Sequence, residues 1–353
     1  MRARAVGFVV SAVLLVGVDQ VAAGPALLFE PATGRVLYAE DQDHVWHPAS
    51  LTKIMTAYIA FDALKAGRLK LEQMIPVSEK AHAQAPSKVG LPVGGEMTVD
   101  LAIRALIVKS ANDVAMMLAE AISRSEEEFV MLMNETARRL GMANTRFANP
   151  NGLPAPDQVT TARDLARLTR AVVRDFPEQL ALWALPDVQV GKAKMRNHNA
   201  LLRTFEGADG IKTGFICDSG FNIVASATRD GRKLMAVVLG DVSGRERNMR
   251  AASLLEHGFQ TWDWKQLLDP ATIDTLPVAA DAKPVQSVRQ TIVSWNCGNA
   301  KRRVPVKKKA APNAAAAARK TKPAPKSGGA RAETAPATSK QGAATSGVAK
   351  VTQ

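Results

Sequence analysis

The stretch WHPASLTKIMTAYIAFDALKAG, residues 46–67, places a serine, Ser50, three positions ahead of a lysine, Lys53. Apolar residues then recur at helical spacing, which predicts an amphipathic helix with this pair at its start. Because positions i and i+3 share a helix face, the hydroxyl and the ammonium can meet. Ser50 is therefore either a helix cap or a nucleophile that carries its own base.

The lysine favours the nucleophile. A serine that only caps a helix is typically followed three residues later by Glu or Gln, and a positive charge near a helix N-terminus opposes the helix dipole. A buried lysine beside other positive charge has a lowered pKa and can accept a proton from a neighbouring hydroxyl. The two roles are compatible, since a helix N-terminus also stabilises developing negative charge.

Two more short motifs follow along the chain. Ser110 and Asn112 lie in a polar interruption between two apolar segments that are predicted to be helices, and Lys212 opens the tripeptide KTG at a predicted strand. Each has an ordinary explanation, because Ser and Asn are common in loops and Gly is common in turns. In isolation, neither motif points to chemistry.

The positive charge of the chain is concentrated in its tail. The 353 residues carry a formal net charge of +13, and residues 299–353 hold thirteen Lys or Arg against a single acidic residue, Glu333, so the tail alone carries +12. The remaining residues are close to neutral, which argues against a nucleic-acid-binding fold. The tail lacks apolar periodicity and is predicted to be disordered.

Residues 1–23 have the pattern of an export signal. Arg2 and Arg4 precede an apolar run from Val6 to Val18, and Val21-Ala22-Ala23 then forms a small-residue cleavage pattern. The run is too short for a membrane-spanning helix. We therefore predict an exported, periplasmic protein.

Export places the two cysteines, Cys217 and Cys297, in an oxidising compartment. An even count there predicts one disulfide. Two unpaired thiols, one of them buried, are the alternative, because the sequence gives no distance between them. The five histidines show no metal-ligand spacing, so neither a metal nor an organic cofactor is predicted. For His198, which precedes the third motif, a surface or packing role is expected, with a position lining the cleft as the alternative.

Strands are predicted to open and close the body of the chain, with helices between them. Residues 31–34 and the pair Asp230-Gly231 read as hairpin turns. Helices are predicted to start at Ser125 and Thr161 and to cover residues 244–258, whereas residues 81–97 read as a loop. This order predicts an α+β fold with an antiparallel sheet built from both chain ends.

The order S-x-x-K, S-x-N and K-T-G is the signature of penicillin-recognising serine enzymes. Together with PASLTKIMTAYIA, LIVKSANDVAMMLAE, RRLGMANTRFANPNGL, ARDLARL and DGIKTGFICDSGFNIVASA, it makes residues 25–262 resemble the D-alanyl-D-alanine carboxypeptidases, which are low-molecular-mass penicillin-binding proteins. The resemblance implies a β-lactamase/transpeptidase-like fold, a five-stranded antiparallel sheet flanked by helices with a helical lobe. It also implies removal of the terminal D-Ala from peptidoglycan stem peptides and inhibition by β-lactams.

The resemblance assigns the covalent chemistry to three residues. Ser50 would attack the carbonyl of the D-Ala-D-Ala bond, Lys53 would be its base, and Ser110 would relay the proton to the leaving amine. Water would then release the acyl-enzyme.

The substrate-binding residues that the resemblance implies are Asn112, Lys212, Thr213, Gly214, Phe215 and Arg245. Asn112 would hold the substrate amide, and Lys212 would bind substrate and keep Lys53 neutral. Thr213 and Arg245 would bind the terminal carboxylate. The oxyanion hole would be formed by the backbone N–H groups of Ser50 and Phe215.

Three rival functions are weighed against this one. Class A β-lactamases deacylate with a glutamate between the second and third motifs, and residues 149–164, NPNGLPAPDQVTTARD, contain only Asp157 and Asp164 as acidic residues. A D,D-endopeptidase would use the same chemistry on crosslinks and stays open. A non-catalytic wall-binding protein would have no need for three intact motifs.

The predicted domain organisation follows. Residues 1–23 form the signal, residues 24–264 the catalytic domain, residues 265–298 an extension that packs on it, and residues 299–353 the basic tail. The extension is too short for the β-rich second domain that many relatives carry, and the tail lacks the apolar face of a helical membrane anchor. The charge of the tail is expected to attract anionic lipid head groups or wall polymers, with a solvated linker as the alternative.

Overall fold

A five-stranded antiparallel sheet forms the centre of the molecule, and its strand order is β2-β1-β9-β8-β7. The computed structural model describes residues 24–268, 271–292 and 297, so the predicted signal and the basic tail lie outside the described residues. The strands are β1 (Ala26–Phe29), β2 (Val36–Glu40), β7 (Ala208–Ile216), β8 (Gly220–Arg229) and β9 (Arg232–Asp241). The prediction of a sheet built from both chain ends is confirmed, and β7 is its edge strand.

The last hairpin was predicted from a single dipeptide. Asp230 and Gly231 connect β8 to β9 with φ values of 50° and 74°. A two-residue turn with both φ values positive matches the twist of the strands that it joins, and Asp-Gly adopts it at low cost.

Helices cover both faces of the sheet, because alternate residues of each strand point to opposite sides. In β1, Leu27 and Phe29 pack into the larger core with the helical lobe, whereas Ala26 and Leu28 pack beneath the C-terminal helix. The main helices are α1 (Thr52–Lys65), α3 (Val99–Val108), α4 (Asn112–Ser123), α5 (Glu126–Arg139), α6 (Ala162–Asp175) and α8 (Gly244–Leu268).

Shorter elements complete the fold. They are α2 (Glu79–His82), α7 (Leu201–Thr204), the 3₁₀ helices Ala49–Leu51 and Pro177–Ala184, and the two-stranded ribbons of β3 (Met74–Pro76) with β4 (Glu96–Thr98) and of β5 (Asp187–Val190) with β6 (Ala193–Arg196). Most of residues 81–97 is loop, as predicted. Among the described residues, no helix combines the length and the apolar character needed to cross a bilayer.

Helix α1 is buried on nearly every side, so the prediction of an amphipathic helix was wrong. Eleven of its fourteen residues are buried, because the helix lies in the centre of the lobe and contacts α3, α4, α5 and α6. The apolar spacing in the sequence marked only part of its packed surface.

Helix α8 is longer than predicted. The sequence predicted a helix over about residues 244–258, yet the helix continues to Leu268. A Cβ at position 258 would lie 2.8 Å from side-chain atoms of both Leu28 and Leu234. The glycine therefore lets the helix approach the sheet closely and does not terminate it.

The segment after α8 packs on the domain. The guanidinium of Arg163 on α6 forms a buried ion pair with Asp43 and donates to the backbone oxygens of Ile273, Leu276 and Pro277 at 2.8–2.9 Å. Further along, the sulfurs of Cys217 and Cys297 are joined in a disulfide. The extension is thus attached to the domain at two separate places.

Candidate active site

A cavity of about 380 Å³ lies between the edge strand β7 and the helical lobe. It brings together six residues of the three motifs and their surroundings, although these are far apart in the sequence. They are Ser50, Ser110, Asn112, Thr213, Gly214 and Phe215.

The first motif pairs a partly exposed hydroxyl with a buried amine. Ser50 lies on the 3₁₀ turn that leads into α1, and Lys53, 1% exposed, lies on the first turn of α1. Lys53 Nζ is 3.0 Å from Ser50 Oγ, and it donates to Asn112 Oδ1 at 2.7 Å and to the backbone oxygen of Asn151. A neutral amine has two N–H groups and one lone pair, so these two acceptors leave the lone pair for the serine hydroxyl.

Burial lowers the pKa of Lys53 well below its ordinary value of 10.5, and the positive charge of Lys212 lowers it further. The carboxylate of Asp113 acts in the opposite direction and is the weaker influence. The lowered pKa favours the neutral form of this amine, which is the form that accepts a proton.

Lys212 itself is buried on β7. Desolvation, together with the positive charge of Arg247, lowers the pKa of Lys212 to about 7. Its Nζ donates to the backbone oxygen of Thr213 at 3.0 Å. The site therefore brings two buried cationic side chains, Lys212 and Arg247, close to Lys53, a grouping that favours an anionic ligand.

Two glycines hold the turn that carries Ser50. A Cβ at Gly214 would lie 3.1 Å from the backbone nitrogen of Ser50, and a Cβ at Gly152 would lie 1.9 Å from the backbone oxygen of Ala49. Gly152 also has a positive φ of 84°. Strand β7 and the loop around Gly152 thus contact the turn from two sides, at a distance that only glycine allows.

Ala49 and Ser110 both have backbone conformations that are costly for residues with a Cβ. Their φ values are 49° and 59°. Residues in this left-handed region are held there by their surroundings and are concentrated at functional sites. The buried Ser110 Oγ has no hydrogen-bond partner among the described residues, so it is free to bond a ligand in the cavity.

The loop of residues 84–90, between α2 and β4, was predicted as a loop but not as part of the site. The carboxylate of Asp113 accepts hydrogen bonds from the backbone nitrogens of Val89 and Gly90, and the backbone nitrogen of Asn112 donates to the oxygen of Ser87 at 2.7 Å. These bonds fold residues 84–90 over the second motif. Its glycine and proline content predicted a loop, but nothing local in the sequence indicated where the loop would dock.

Arg247, and not the predicted Arg245, is the arginine that faces the cavity. Arg247 is 7% exposed and lines the cavity, whereas Arg245 is exposed and does not. Ser243 caps α8 by accepting from the backbone nitrogen of Glu246 at 3.1 Å. Residues two apart on a helix lie about 200° apart around its axis, so only one of the two arginines can face the cavity.

The loop between the second and third motifs presents no acid to the cavity. Among the described residues that line the cavity, Gly152 and Leu153 represent this loop, and none of the lining residues is Asp or Glu. Asp157 is exposed, and Asp164 is buried against Thr145 at the start of α6, as the sequence predicted for a helix-start residue. Gln158 holds the loop by bonding its backbone at residues 148, 149 and 153.

His198 lines the cavity while remaining exposed to solvent. The residue thus has the expected surface position and also lines the cleft, which was the alternative weighed from the sequence. Desolvation of the ring, followed by the positive charges of Lys212, Lys109 and Arg247, lowers its pKa. The ring is neutral at neutral pH.

The site can be compared with known proteins. The family model of the peptidase S11 family, D-alanyl-D-alanine carboxypeptidase, matches residues 12–243. D-alanyl-D-alanine carboxypeptidase DacC of Escherichia coli K12 is 38% identical over 244 residues, which are 67% of this chain and 61% of that protein. The chain thus spans less than two thirds of the length of this relative.

Solved structures show the same fold, which is that of the penicillin-binding proteins. Penicillin-binding protein 5 of Haemophilus influenzae is 35% identical with a TM-score of 0.66, covering 68% of this chain and 72% of that one. Penicillin-binding protein D2 of Listeria monocytogenes, solved with cefotaxime bound, is 30% identical with a TM-score of 0.62, covering 67% of this chain and 97% of that one. This chain belongs to the peptidase S11 family, the D-alanyl-D-alanine carboxypeptidases.

Proposed function

We propose that this protein is a serine D-alanyl-D-alanine carboxypeptidase that removes the terminal D-Ala from peptidoglycan stem pentapeptides and is acylated by β-lactams. The observation that carries the proposal is the pair of Ser50 Oγ and Lys53 Nζ, 3.0 Å apart, with Ser50 in the lining of a cavity that Ser110, Thr213 and Arg247 also line. Membership of the family supports the same conclusion.

Acylation begins with proton transfer from Ser50 Oγ to the neutral amine of Lys53. The hydroxyl oxygen then attacks the carbonyl carbon of the scissile peptide bond, and negative charge develops on the carbonyl oxygen. Backbone N–H groups of Ser50 and Phe215 form the oxyanion hole in this proposal. Removal of one such donor costs about 3 kcal/mol of transition-state stabilisation.

The leaving D-Ala takes a proton as the peptide bond breaks. Ser110 is suited to this relay because its buried Oγ lines the cavity and has no partner among the described residues. The side-chain amide of Asn112, whose Oδ1 already accepts from Lys53, binds the substrate amide at the same edge.

The terminal carboxylate of the substrate binds to Thr213, Lys212 and Arg247. Both cations are buried, which makes a charge-assisted hydrogen bond to carboxylate stronger than in water. Arg247 replaces Arg245 in this role, because only Arg247 lines the cavity. This end of the site selects a peptide with a free C-terminus.

Deacylation separates the carboxypeptidase from a β-lactamase. Hydrolysis of a penicilloyl ester is fast where a carboxylate activates the attacking water, and the described lining of this cavity has no carboxylate. We therefore infer that the adduct with a β-lactam is long-lived. Cefotaxime bound to the Listeria relative supports this interpretation.

The test is release of D-Ala from a pentapeptide that ends in D-Ala-D-Ala, with a crosslinked muropeptide dimer as the competing substrate. A carboxypeptidase releases D-Ala from the pentapeptide faster than it cleaves the dimer. The reverse preference would make the protein an endopeptidase, since only the leaving group differs between the two reactions.

We further propose export to the periplasm, on the pattern of residues 1–23, and attraction of the basic residues 299–353 to anionic surfaces. Sedimentation with phosphatidylglycerol vesicles tests the second proposal. Binding should fall with salt and with deletion of residues 299–353. Binding that is independent of salt, or unchanged by the deletion, would contradict it.

A further inference from the structure

The C-terminal extension contacts the hairpin that directly follows the KTG motif. The carboxylate of Asp218 accepts from Arg289 Nε at 3.0 Å, from Arg289 Nη2 at 2.7 Å and from Ser287 Oγ at 2.7 Å. The backbone nitrogen of Val288 donates to the backbone oxygen of Asp218 at 3.0 Å. One residue further back on the hairpin, Cys217 is bonded to Cys297.

An apolar cluster lies beside these polar contacts. Ile292 and Cys297 are 2% and 4% exposed, and they pack with Phe221 at the start of β8. The ring of Phe221 is 4.2 Å from the ring of Phe215. The extension therefore contacts both the turn and the aromatic pair at its base.

The same hairpin forms one wall of the cavity. Phe215, Ile216 and Phe221 line it, and Phe215 follows Gly214, which lies against the backbone of Ser50. Strand β7 is the edge of the sheet, so its open side faces the cavity and only β8 pairs with it. The end of an edge strand is free to move unless other groups hold it.

We propose that residues 287–292 and Cys297 are a positioning element of the active site. Through Asp218, the disulfide and the Phe221–Phe215 pair, they fix the end of β7 at the distance from Ser50 that substrate binding and acylation require. Arg289 and Cys297 are its positioning residues. The proposal rests on the proposed acylation of Ser50 for its effect on rate, and on the hairpin alone for its effect on backbone order.

Arg289→Ala tests the polar part while the disulfide remains in place. We expect the second-order rate constant of acylation by a fluorescent penicillin to fall about five- to tenfold, since small misplacements of reacting groups cost up to about a hundredfold. KM for the pentapeptide should rise more than kcat falls. Arg289→Lys keeps the charge and should recover the rate in part. Recovery should be incomplete, because a lysine cannot form the bidentate contact with the Asp218 carboxylate.

Arg68→Ala is the matched control, because it removes an ion pair of similar exposure, with Asp62, at the far end of α1. It should leave acylation unchanged. The disulfide is tested with reductant: reduction should slow acylation of the wild type and have no effect on the double variant Cys217→Ser/Cys297→Ser, which should already be slow.

Hydrogen exchange gives a readout that needs no catalysis. In Arg289→Ala, amides of residues 213–221 should exchange faster while those of α1 keep their protection. The positioning role would be overturned if Arg289→Ala and the double variant both showed the same hydrogen exchange and the same acylation rate as the wild type. A wild type that is never acylated would overturn the proposed function, and the exchange data alone would then decide the positioning role.

Discussion

At the starts of helices α1 and α5, a serine stands three residues before a charged residue, but the two charged residues differ in sign and in burial. Ser125 precedes α5, and its Oγ accepts from the backbone nitrogen of Glu128, so this serine is a helix cap followed by three acidic residues. Ser50 lies inside the 3₁₀ turn Ala49–Leu51 and not at the N-cap position of α1, which is Leu51, and its Oγ is hydrogen-bonded to the buried Lys53, three positions later. The charge of the fourth residue and its burial, and not the serine, decide which start is chemical.

The two helix starts also differ in their contribution to the stability of the fold. A glutamate in the first turn of α5 is exposed and interacts well with the helix dipole. Lys53 is buried and loses its hydration, which must be offset by Asn112 and Asn151. The start of α1 is thus held by its surroundings, whereas the start of α5 stabilises itself.

The largest expected effect comes from the base. Lys53→Met removes the only group that accepts the proton in this account, and acylation by a penicillin should fall by about 10²- to 10⁴-fold. Stopped-flow fluorescence with a reporter penicillin measures the rate. Lys65→Met, at the exposed end of the same helix, is the control and should react at the wild-type rate. Equal losses in both variants would show that α1 needs its lysines for folding and not for chemistry.

The start of α8 extends the comparison, since Ser243 is a cap with Glu246 at the fourth position. Here the contribution to the site comes from Arg247. Arg247→Ala should raise KM for the pentapeptide about ten- to a hundredfold, because a charged hydrogen bond is worth roughly 1.5–3 kcal/mol. Arg245→Ala should leave KM unchanged. A larger effect of Arg245→Ala would restore the assignment made from the sequence.

The pH dependence of kcat/KM tests the buried charge of Lys212, which has no counterpart at the start of α5. With its pKa near 7, Lys212 keeps its positive charge below that pH and loses it above. For a substrate with a free carboxylate, kcat/KM should therefore fall above about pH 7, by up to tenfold per pH unit. In Lys212→Arg, the falling limb should move to higher pH. A limb that stays in place in this variant would assign it to another group.

The smallest expected effect concerns stability alone. Ser125→Ala removes an ordinary cap and should lower the free energy of unfolding by about 1 kcal/mol, with no change in acylation. Ser50→Ala should leave that free energy nearly unchanged, because Ser50 does not occupy the N-cap position of either helix that it adjoins. Urea denaturation measures both variants. Equal losses of stability would mean that Ser50 is a cap after all.

The elements that the sequence predicted well depend on local rules. Hairpin turns, helix caps and the order of strands and helices follow from neighbours within four residues, so Asp230-Gly231, Ser125 and Thr161 were all interpreted correctly. The three motifs were brought together as the family resemblance implied.

What the sequence did not reveal depends on contacts between distant segments. The carbonyl of Asn151 at Lys53, the loop of residues 84–90 over Asn112 and the docking of Arg289 on Asp218 have no local pattern. The choice of Arg245 over Arg247 is different, because a local signal in the sequence could have corrected it. The serine and glutamate of the sequence SGRE mark Ser243 as the cap, and helical geometry then separates Arg245 from Arg247.

The central claim is that Ser50 is a nucleophile and not a cap. The most direct test is the intact mass of the protein after brief exposure to benzylpenicillin, with Ser50→Ala treated in parallel. The account predicts one stable penicilloyl adduct on the wild type and none on the variant. Rapid hydrolysis of the drug without an adduct would point to a β-lactamase, and neither adduct nor hydrolysis would contradict the catalytic account altogether.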